Sequence, residues 1–412
     1  ASRGLGDVYK RQYIDKISTD NLMQYTFDGT KKANYANISD PISSSLTWET
    51  VTTYNWGLDL GFFNNRLNVT ADVFMRDTRD MLTTSLTLPS VYGAKTPKEN
   101  CADLRTKGWE LYVGWNDQFK LAGKPFKYNI SATIGDYISK ITRYNNPDKL
   151  ISDYYEGMTL GEIWGYKVSG LFVTDEEAAA YQAEYNDKAV NGRVYSSKKD
   201  NYLRAGDVRF IDLDGDKVLS EGSGTVSDPG DKRIIGNSLP RYSYTFRLGA
   251  NWLGFDVSAF FQGVGKQDWY PTTYAYNFWG PYSFPSLSFI HKDFLKECWS
   301  EENPGAYFPR QRGYASYSGG ALGVVNDRYL QDVSYLRLKN LTIGYTIPIN
   351  KKILSSVRVY ATGENLFYWS ALKKHNKTVD PELTNTSSTY NAGSGVGYGY
   401  SRSFSVGIDV TF

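Results

Sequence analysis

The sequence predicts an all-β fold, an antiparallel transmembrane β-barrel with long loops on one rim. Three observations predict it. The chain ends Ser403-Phe404-Ser405-Val406-Gly407-Ile408-Asp409-Val410-Thr411-Phe412, in strict alternation, so that Phe404, Val406, Ile408, Val410 and Phe412 share one face of a strand. The same alternation recurs along the chain. The connections between the alternating segments are short and long by turns, as in barrels with short periplasmic turns and longer outer loops. A soluble sandwich also has one dry and one wet face, but it has no reason to sort its connections by length.

Taken in order, a first candidate segment lies near residues 17–28. Tyr54, Trp56, Leu58, Leu60 and Phe62 then alternate with polar or small residues, and the Asn64-Asn65 turn leads into Leu67, Val69, Ala71 and Val73. Two more strands carry Trp109, Leu111, Val113, Trp115 and Tyr128, Ile130, Ala132, Ile134. The cleanest spans 241–252, with Tyr242, Tyr244, Phe246, Leu248, Ala250 and Trp252 on one face, and it returns after Leu253-Gly254 through Phe255, Val257, Ala259 and Phe261. Leu341, Ile343, Tyr345, Ile347, then Val357, Val359, Ala361, precede the last strand. The total is nine strands, or ten with the segment near 17–28, each long enough for the roughly 9–11 residues of a tilted membrane strand.

Short turns are expected near 63–65, 118–124, 253–254 and 348–354, and long loops near 84–102, 146–239, 270–332 and 369–401. On this alternation Tyr244, Phe246, Leu248, Leu58, Val69 and Ile408 face lipid, while Asn55, Thr245, Arg247 and Asp409 face the lumen. Tyr and Trp gather near strand ends, as interfacial girdles do.

Composition agrees. The 412 residues include 34 Tyr, 20 Phe, 10 Trp and 38 Gly, and mean hydropathy is −0.47. No run of 18 apolar residues exists, which excludes a membrane-spanning helix. A polar average is compatible with barrel strands, which are apolar only at every second residue. A net charge of +2 without a basic stripe gives no sign of nucleic acid. Cys101 and Cys298 lie too far apart in sequence for their pairing to be deduced. Residues 1–12 show neither a signal-peptide pattern nor strand alternation. They are expected to be a non-native leader, with 13–412 the carboxy-terminal part of a longer barrel protein.

Several stretches resemble one family. Tyr54-Asn55-Trp56-Gly57-Leu58-Asp59-Leu60-Gly61-Phe62, continuing through Phe63-Asn64-Asn65-Arg66-Leu67, is similar to a strand–turn–strand of SusC/RagA-like TonB-dependent transporters. So are Gly161-Glu162-Ile163-Trp164-Gly165-Tyr166, Gly170-Leu171-Phe172 with Asp175-Glu176-Glu177, and Gly206-Asp207-Val208-Arg209-Phe210 running on to Asp216. Ile235-Gly236-Asn237-Ser238-Leu239-Pro240, Tyr335-Leu336-Arg337-Leu338-Lys339-Asn340-Leu341, Gly363-Glu364-Asn365-Leu366-Phe367 and Asp380-Pro381-Glu382 complete the order. The resemblance covers about residues 20–412. It implies a barrel of about 22 strands closed by a plug, of which this chain is part of one wall. It also implies energised import of oligosaccharides or peptides across the outer membrane of a Bacteroidetes-type bacterium, with the carboxy-terminus periplasmic. The implied partners are a SusD-like surface lipoprotein as lid, the TonB energising complex acting through the missing plug, and outer-membrane lipid. Phe412 is then the assembly signal.

Other candidate sites come from residue type. Asp212, Asp214 and Asp216 occupy the first three ligand positions of an EF-hand-like calcium loop. Lys217, however, stands where that loop needs Gly, and Ser223 where it needs Glu. The other reading is an acidic turn. Trp269, Tyr270, Tyr274, Tyr276, Trp279 and Tyr282 crowd one loop. Such rings either stack on sugars, peptides or a partner, or fold on one another to seal the top of the barrel. His291 and His375 lack a neighbouring nucleophile or metal spacing, so the reading is a non-enzyme. The competing readings are a passive porin or adhesin and a secreted glycan-binding β-sandwich.

Overall fold

A computed structural model describes residues 17–27 and 31–38 by backbone, and 46–84, 96–187, 190, 202–273, 275–286, 292–313, 315–316, 321–349, 355–384 and 399–412 in full. The leader expected at 1–12 lies outside the described residues. Strands β1 (Ile17–Phe27) and β2 (Lys31–Ile38) pair with each other alone. The segment near 17–28 is therefore a strand, but it is not part of the main sheet.

The wall strands are β3 (Thr50–Phe62), β4 (Leu67–Thr84), β5 (Lys98–Leu121), β6 (Lys124–Arg143), β11 (Arg241–Trp252), β12 (Phe255–Lys266), β15 (Tyr335–Pro348), β16 (Ser356–Ser370) and β17 (Ser403–Thr411). They form one nine-stranded sheet in the order β17-β16-β15-β12-β11-β6-β5-β4-β3. Between β6 and β11 come the short β7 (Glu162–Gly165), β8 (Val168–Leu171), β9 (Val208–Phe210) and β10 (Arg233–Asn237); β13 (Asp268–Trp269) and β14 (Gln331–Asp332) bracket the next long connection. The wall is an antiparallel meander, so successive connections fall on alternate ends and all four long ones share an end. β3 and β17 stand at the two limits of the sheet order, and the wall is not closed. The chain divides into two compact units, one of 1–54, 76–106 and 139–158 and another of 55–75, 107–138 and 159–412.

Two details differ from expectation. Residues 118–121 continue β5, and the turn is only Ala122-Gly123, both at positive φ (49° and 77°). Leu253-Gly254 repeats this geometry at 51° and 85°. These are the mirror-image two-residue turns whose twist matches that of the strands they join. The strands also exceed a bilayer's need: β5 has 24 residues and β4 has 18, against about 9–11 for a crossing.

The register places side chains of one kind beside each other over six strands. Ile130, Leu248, Ala259, Leu341, Gly363 and Phe404 form one row, and Tyr128, Ala250, Val257, Ile343, Ala361 and Val406 the next. Trp252, Phe255, Tyr345, Val359 and Ile408 form a third. Because a one-residue slip would turn every side chain over, this agreement specifies the pairing. Leu248, Val257, Ile343, Phe404, Val406 and Ile408 are all exposed, as expected of a face whose covering is hydrocarbon rather than protein.

The opposite face is polar. Arg358 on β16 donates through Nε and Nη2 to Asp256 on β12, at 2.9 and 2.7 Å, and through Nη1 to Asp409 on β17 at 3.0 Å. It reaches β12 across β15, which lies between. Gly344 makes this passage: a Cβ there would stand 2.6 Å from Asp256 Oδ1 and 2.8 Å from Arg358 Nε.

Replacing Leu248 with Arg should cost about 2–4 kcal/mol if it lies near the bilayer midplane, since a charge there has no partner. Thr245→Arg, three residues back and on the polar face, should cost far less. Urea unfolding of the full-length protein in vesicles reads both, and equal losses would contradict the two-faced wall.

Candidate functional site

The long connections carry a core of their own. Trp269, Phe278, Trp279, Tyr282, Phe294, Phe308, Tyr329 and Leu372 are buried together with Tyr166, Phe210 and Leu219. Trp279, 0% exposed, meets Phe278 edge-on at 4.8 Å and Tyr329 at 5.4 Å. Its indole N–H donates to the carbonyl of Thr272 at 3.1 Å. Tyr282 stacks on Phe308 and donates to the Pro309 carbonyl at 2.6 Å. Burying a ring with its polar tip satisfied is the usual condition for Trp and Tyr in a core. The Tyr270 hydroxyl sits 2.8 Å from the carbonyls of Leu322 and Val324 and accepts from Asn326. Of the aromatic loop set, then, Trp269, Trp279 and Tyr282 are buried in the loop core, Tyr270 and Tyr276 are half-buried, and Tyr274 lies outside the described residues.

The stretches that carry the resemblance are one another's partners. Glu162–Gly165 pairs with Arg233–Asn237, and Val168–Leu171 with Val208–Phe210. Gly206, at φ +84°, lets the chain pass Trp299, whose ring a Cβ would meet at 2.3 Å. Asn340 lies opposite Glu364 and Leu338 opposite Phe367. The tightest junction joins β15 to the loop after β16. Arg337, 1% exposed, donates from Nη2 to Asp380 Oδ1 at 2.5 Å, while its Nε lies 2.5 Å from Glu382 Oε1 as a charge contact rather than an aligned hydrogen bond. Lys339 Nζ reaches Glu382 Oε2 at 2.7 Å. The Arg337 guanidinium also lies over the Tyr368 ring at 4.5 Å and over Tyr400 at 5.2 Å. Sequence reading missed this cluster. Its only signal is the i, i+2 spacing of Arg337 with Lys339 and of Asp380 with Glu382, and a separation of 43 positions hides the match.

Of the titratable groups in the loops, Asp207 and His375 bear on stability between pH 3.8 and 6.5. Burial pushes Asp207 up to about 6 from 3.8, although Arg312 and the Arg204 amide pull the other way. His375 stacks on Tyr307 at 3.6 Å, and burial, with Lys374 and Arg328 nearby, pushes it down to about 4 from 6.5. His291 lies outside the described residues.

The carboxylate oxygens of Asp212, Asp214 and Asp216 gather within 4.8 Å. They already accept backbone N–H groups: Asp212 from Gly215 and Lys217, Asp214 from Asp216, and Asp216 from Val218. Lys217 adopts φ +64°, the left-handed turn a calcium loop makes at that position with Gly. Both readings of the trio use this geometry. Phe412 is 83% exposed at the end of the chain.

No family model matches the chain. It is 24% identical over 429 residues to TonB-dependent receptor P26 of Formosa agariphila, covering 97% of this chain and 38% of that protein. It is 25% identical over 382 residues to TonB-dependent receptor SusC of Bacteroides thetaiotaomicron, covering 89% of this chain and 33% of that one. The solved RagAB peptide transporter superposes with a TM-score of 0.65 at 22% identity, over 97% of this chain and 38% of that chain. Over almost its whole length the chain is similar to SusC-like TonB-dependent receptors. It spans little more than a third of the length of these relatives. The likeness shows the fold, part of an antiparallel β-barrel wall, and the matched proteins are named as receptors and transporters.

Four outcomes are expected. Arg337→Leu strands two buried carboxylates and should cost about 3–5 kcal/mol, less whatever Lys339 compensates; denaturant unfolding measures it. His375 has a depressed folded value, so its contribution is full above pH 6.5 and is lost as pH falls through about 4. Asp207 has a raised one, so its contribution is full below 3.8 and is lost as pH rises through about 6. His375→Phe, which keeps a ring on Tyr307, should flatten the acid-side decline in melting temperature, and Asp207→Asn the neutral-side one. For the Asp trio, bound calcium should raise the melting temperature by mass action, and Asp214→Ala should remove the increment. Equal melting in calcium and in EDTA would assign the trio to the turn alone.

Proposed function

We propose that the chain forms part of the barrel wall of an outer-membrane importer energised through TonB, taking up oligosaccharides or peptides. The observation that carries this is the in-register apolar belt backed by a polar face, with every long connection at one end of the wall. The resemblance to receptors named for TonB, and to a transporter named for peptides, supports the choice of import over a passive pore. On this reading the long-loop end is extracellular, the carboxy-terminus is periplasmic, and the chemistry is binding and gating rather than bond breaking. A SusD-like surface lipoprotein would cover the loop end, and TonB would act through a plug supplied by the rest of the protein. The loop core of Trp269, Trp279 and Tyr282 would serve as scaffold for whatever ligand surface the rim presents.

Uptake of labelled oligosaccharide and peptide pools by cells carrying the full-length gene tests this. Import stops when the proton gradient is dissipated. Leakage that ignores the gradient and depends only on size would favour the porin instead.

For Phe412 the reading is an assembly role. Phe412→Ala in the full-length protein should lower the amount in the outer membrane while the inserted fraction melts almost normally. Near-normal insertion with a lowered melting temperature would reduce Phe412 to burial, worth about 1.5–3 kcal/mol.

A further inference from the structure

The apolar face is not evenly filled. A depression of about 410 Å³ opens on it, lined by Phe119, Phe126, Tyr128, Ile130, Leu248 and Ala259 among others. Its walls are large. Phe119, Phe126 and Tyr128 form a ring cluster with centroids 5.0–6.2 Å apart, and Leu248 and Ile130 stand in one register row beside it. Its floor is small, because Ala250 and Ala259 give the sheet almost no side-chain height there and Gly249 adds only backbone. The volume falls in the range of small-ligand sites, about 300–1,000 Å³, and none of the described residues fills it.

Its position selects the occupant. Phe119 and Phe126 lie beside the Ala122-Gly123 turn, and Ala250 beside Leu253-Gly254, so the depression is at the short-turn end of the wall. The rings there have polar tips in use: Trp115 Nε1 donates to the Tyr128 hydroxyl at 3.1 Å, and Trp252 Nε1 to the Leu121 carbonyl at 3.4 Å. Amphipathic rings of this kind sit at headgroup depth. Lys124, exposed at the start of β6 and in phase with Phe126 and Tyr128, adds a cation on the same face at that end. An apolar trough that is continuous with the belt, ends in amphipathic rings and has a cation at its mouth matches one chemistry: an acyl chain ending in an anionic headgroup.

We propose that this trough is a phospholipid site of the leaflet at the short-turn end. One acyl chain lies over Gly249, Ala250 and Ala259, and its phosphate is near Lys124. The inference rests on the outer-membrane reading above.

The test uses the full-length protein in vesicles of phosphatidylglycerol with brominated acyl chains, followed by native mass spectrometry of detergent-released protein. Tryptophan quenching by bromine reports whether the wall meets lipid at all. Ala250→Phe fills the trough, and Ala361→Phe adds the same ring elsewhere on the belt. The expected result is full quenching in all three proteins, with retained phosphatidylglycerol about tenfold lower in Ala250→Phe alone, a ratio equivalent to 1.4 kcal/mol. Ala259→Leu, a smaller filling, should give an intermediate loss. Full quenching with equal retention in every variant overturns the site and leaves the membrane reading standing. Absence of quenching in the unsubstituted protein overturns both.

Discussion

The organisation of the loop end depends on one buried cation. Arg337 stands at the point where β15 leaves the loops and enters the wall, and it is 1% exposed. A charge so placed is tolerable only if it is paired. Asp380 and Glu382 supply the pairing from beyond β16, so the chain after β16 must fold back to the root of β15. The junction is also crowded with rings: Arg337 lies over Tyr368 and Tyr400, Lys339 over Tyr400, and Lys373 over Tyr368. Replacing the ion pair with apolar groups of similar volume would be energetically acceptable in principle. It would, however, remove what tells this loop where to return, since apolar contact has no direction.

Below that junction the governing constraint is the backbone. In hydrocarbon no water can serve an unpaired N–H or C=O, so each strand must pair along its length. Register then follows from the two-residue period of the side chains, and the six-strand rows from Ile130 to Phe404 are its result. The polar face uses the freedom left over. Gly344 removes a side chain from β15, and Arg358 thereby ties β16 to β12 and β17. The bridge skips a strand, so it couples pairings that nearest-neighbour hydrogen bonds leave independent.

The wall was largely legible in the sequence, because period two survives wherever one face is dry and the other wet. All nine alternating segments are wall strands, and the terminal pattern from Phe404 to Val410 lies in β17, with Phe412 just past its end. Strand ends were not legible. β5 continues through Asp117-Gln118-Phe119-Lys120 because a two-residue turn needs only Ala122-Gly123, less than the turn expected near 118–124. The loops were legible only as motifs. Gly206 reads as a turn residue, while its reason is the Trp299 ring almost a hundred residues away. The Arg337 cluster is likewise a product of long-range packing, for which local spacing carries no code.

The aromatic residues show why composition alone could not separate wall from rim. Trp252 in the belt and Trp279 in the loop core are the same residue doing opposite things: one turns outward to lipid with its N–H tied to the backbone at 3.4 Å, and the other is sealed inside at 0% exposure. What distinguishes them is phase. Trp252 falls on the alternation of β11, whereas Trp269, Phe278, Trp279 and Tyr282 follow no two-residue period. An aromatic run that loses the period between two strands that keep it must bury its rings among themselves, because no hydrocarbon is available to cover them. The loop core follows from this, and removing one such ring costs about 3–5 kcal/mol.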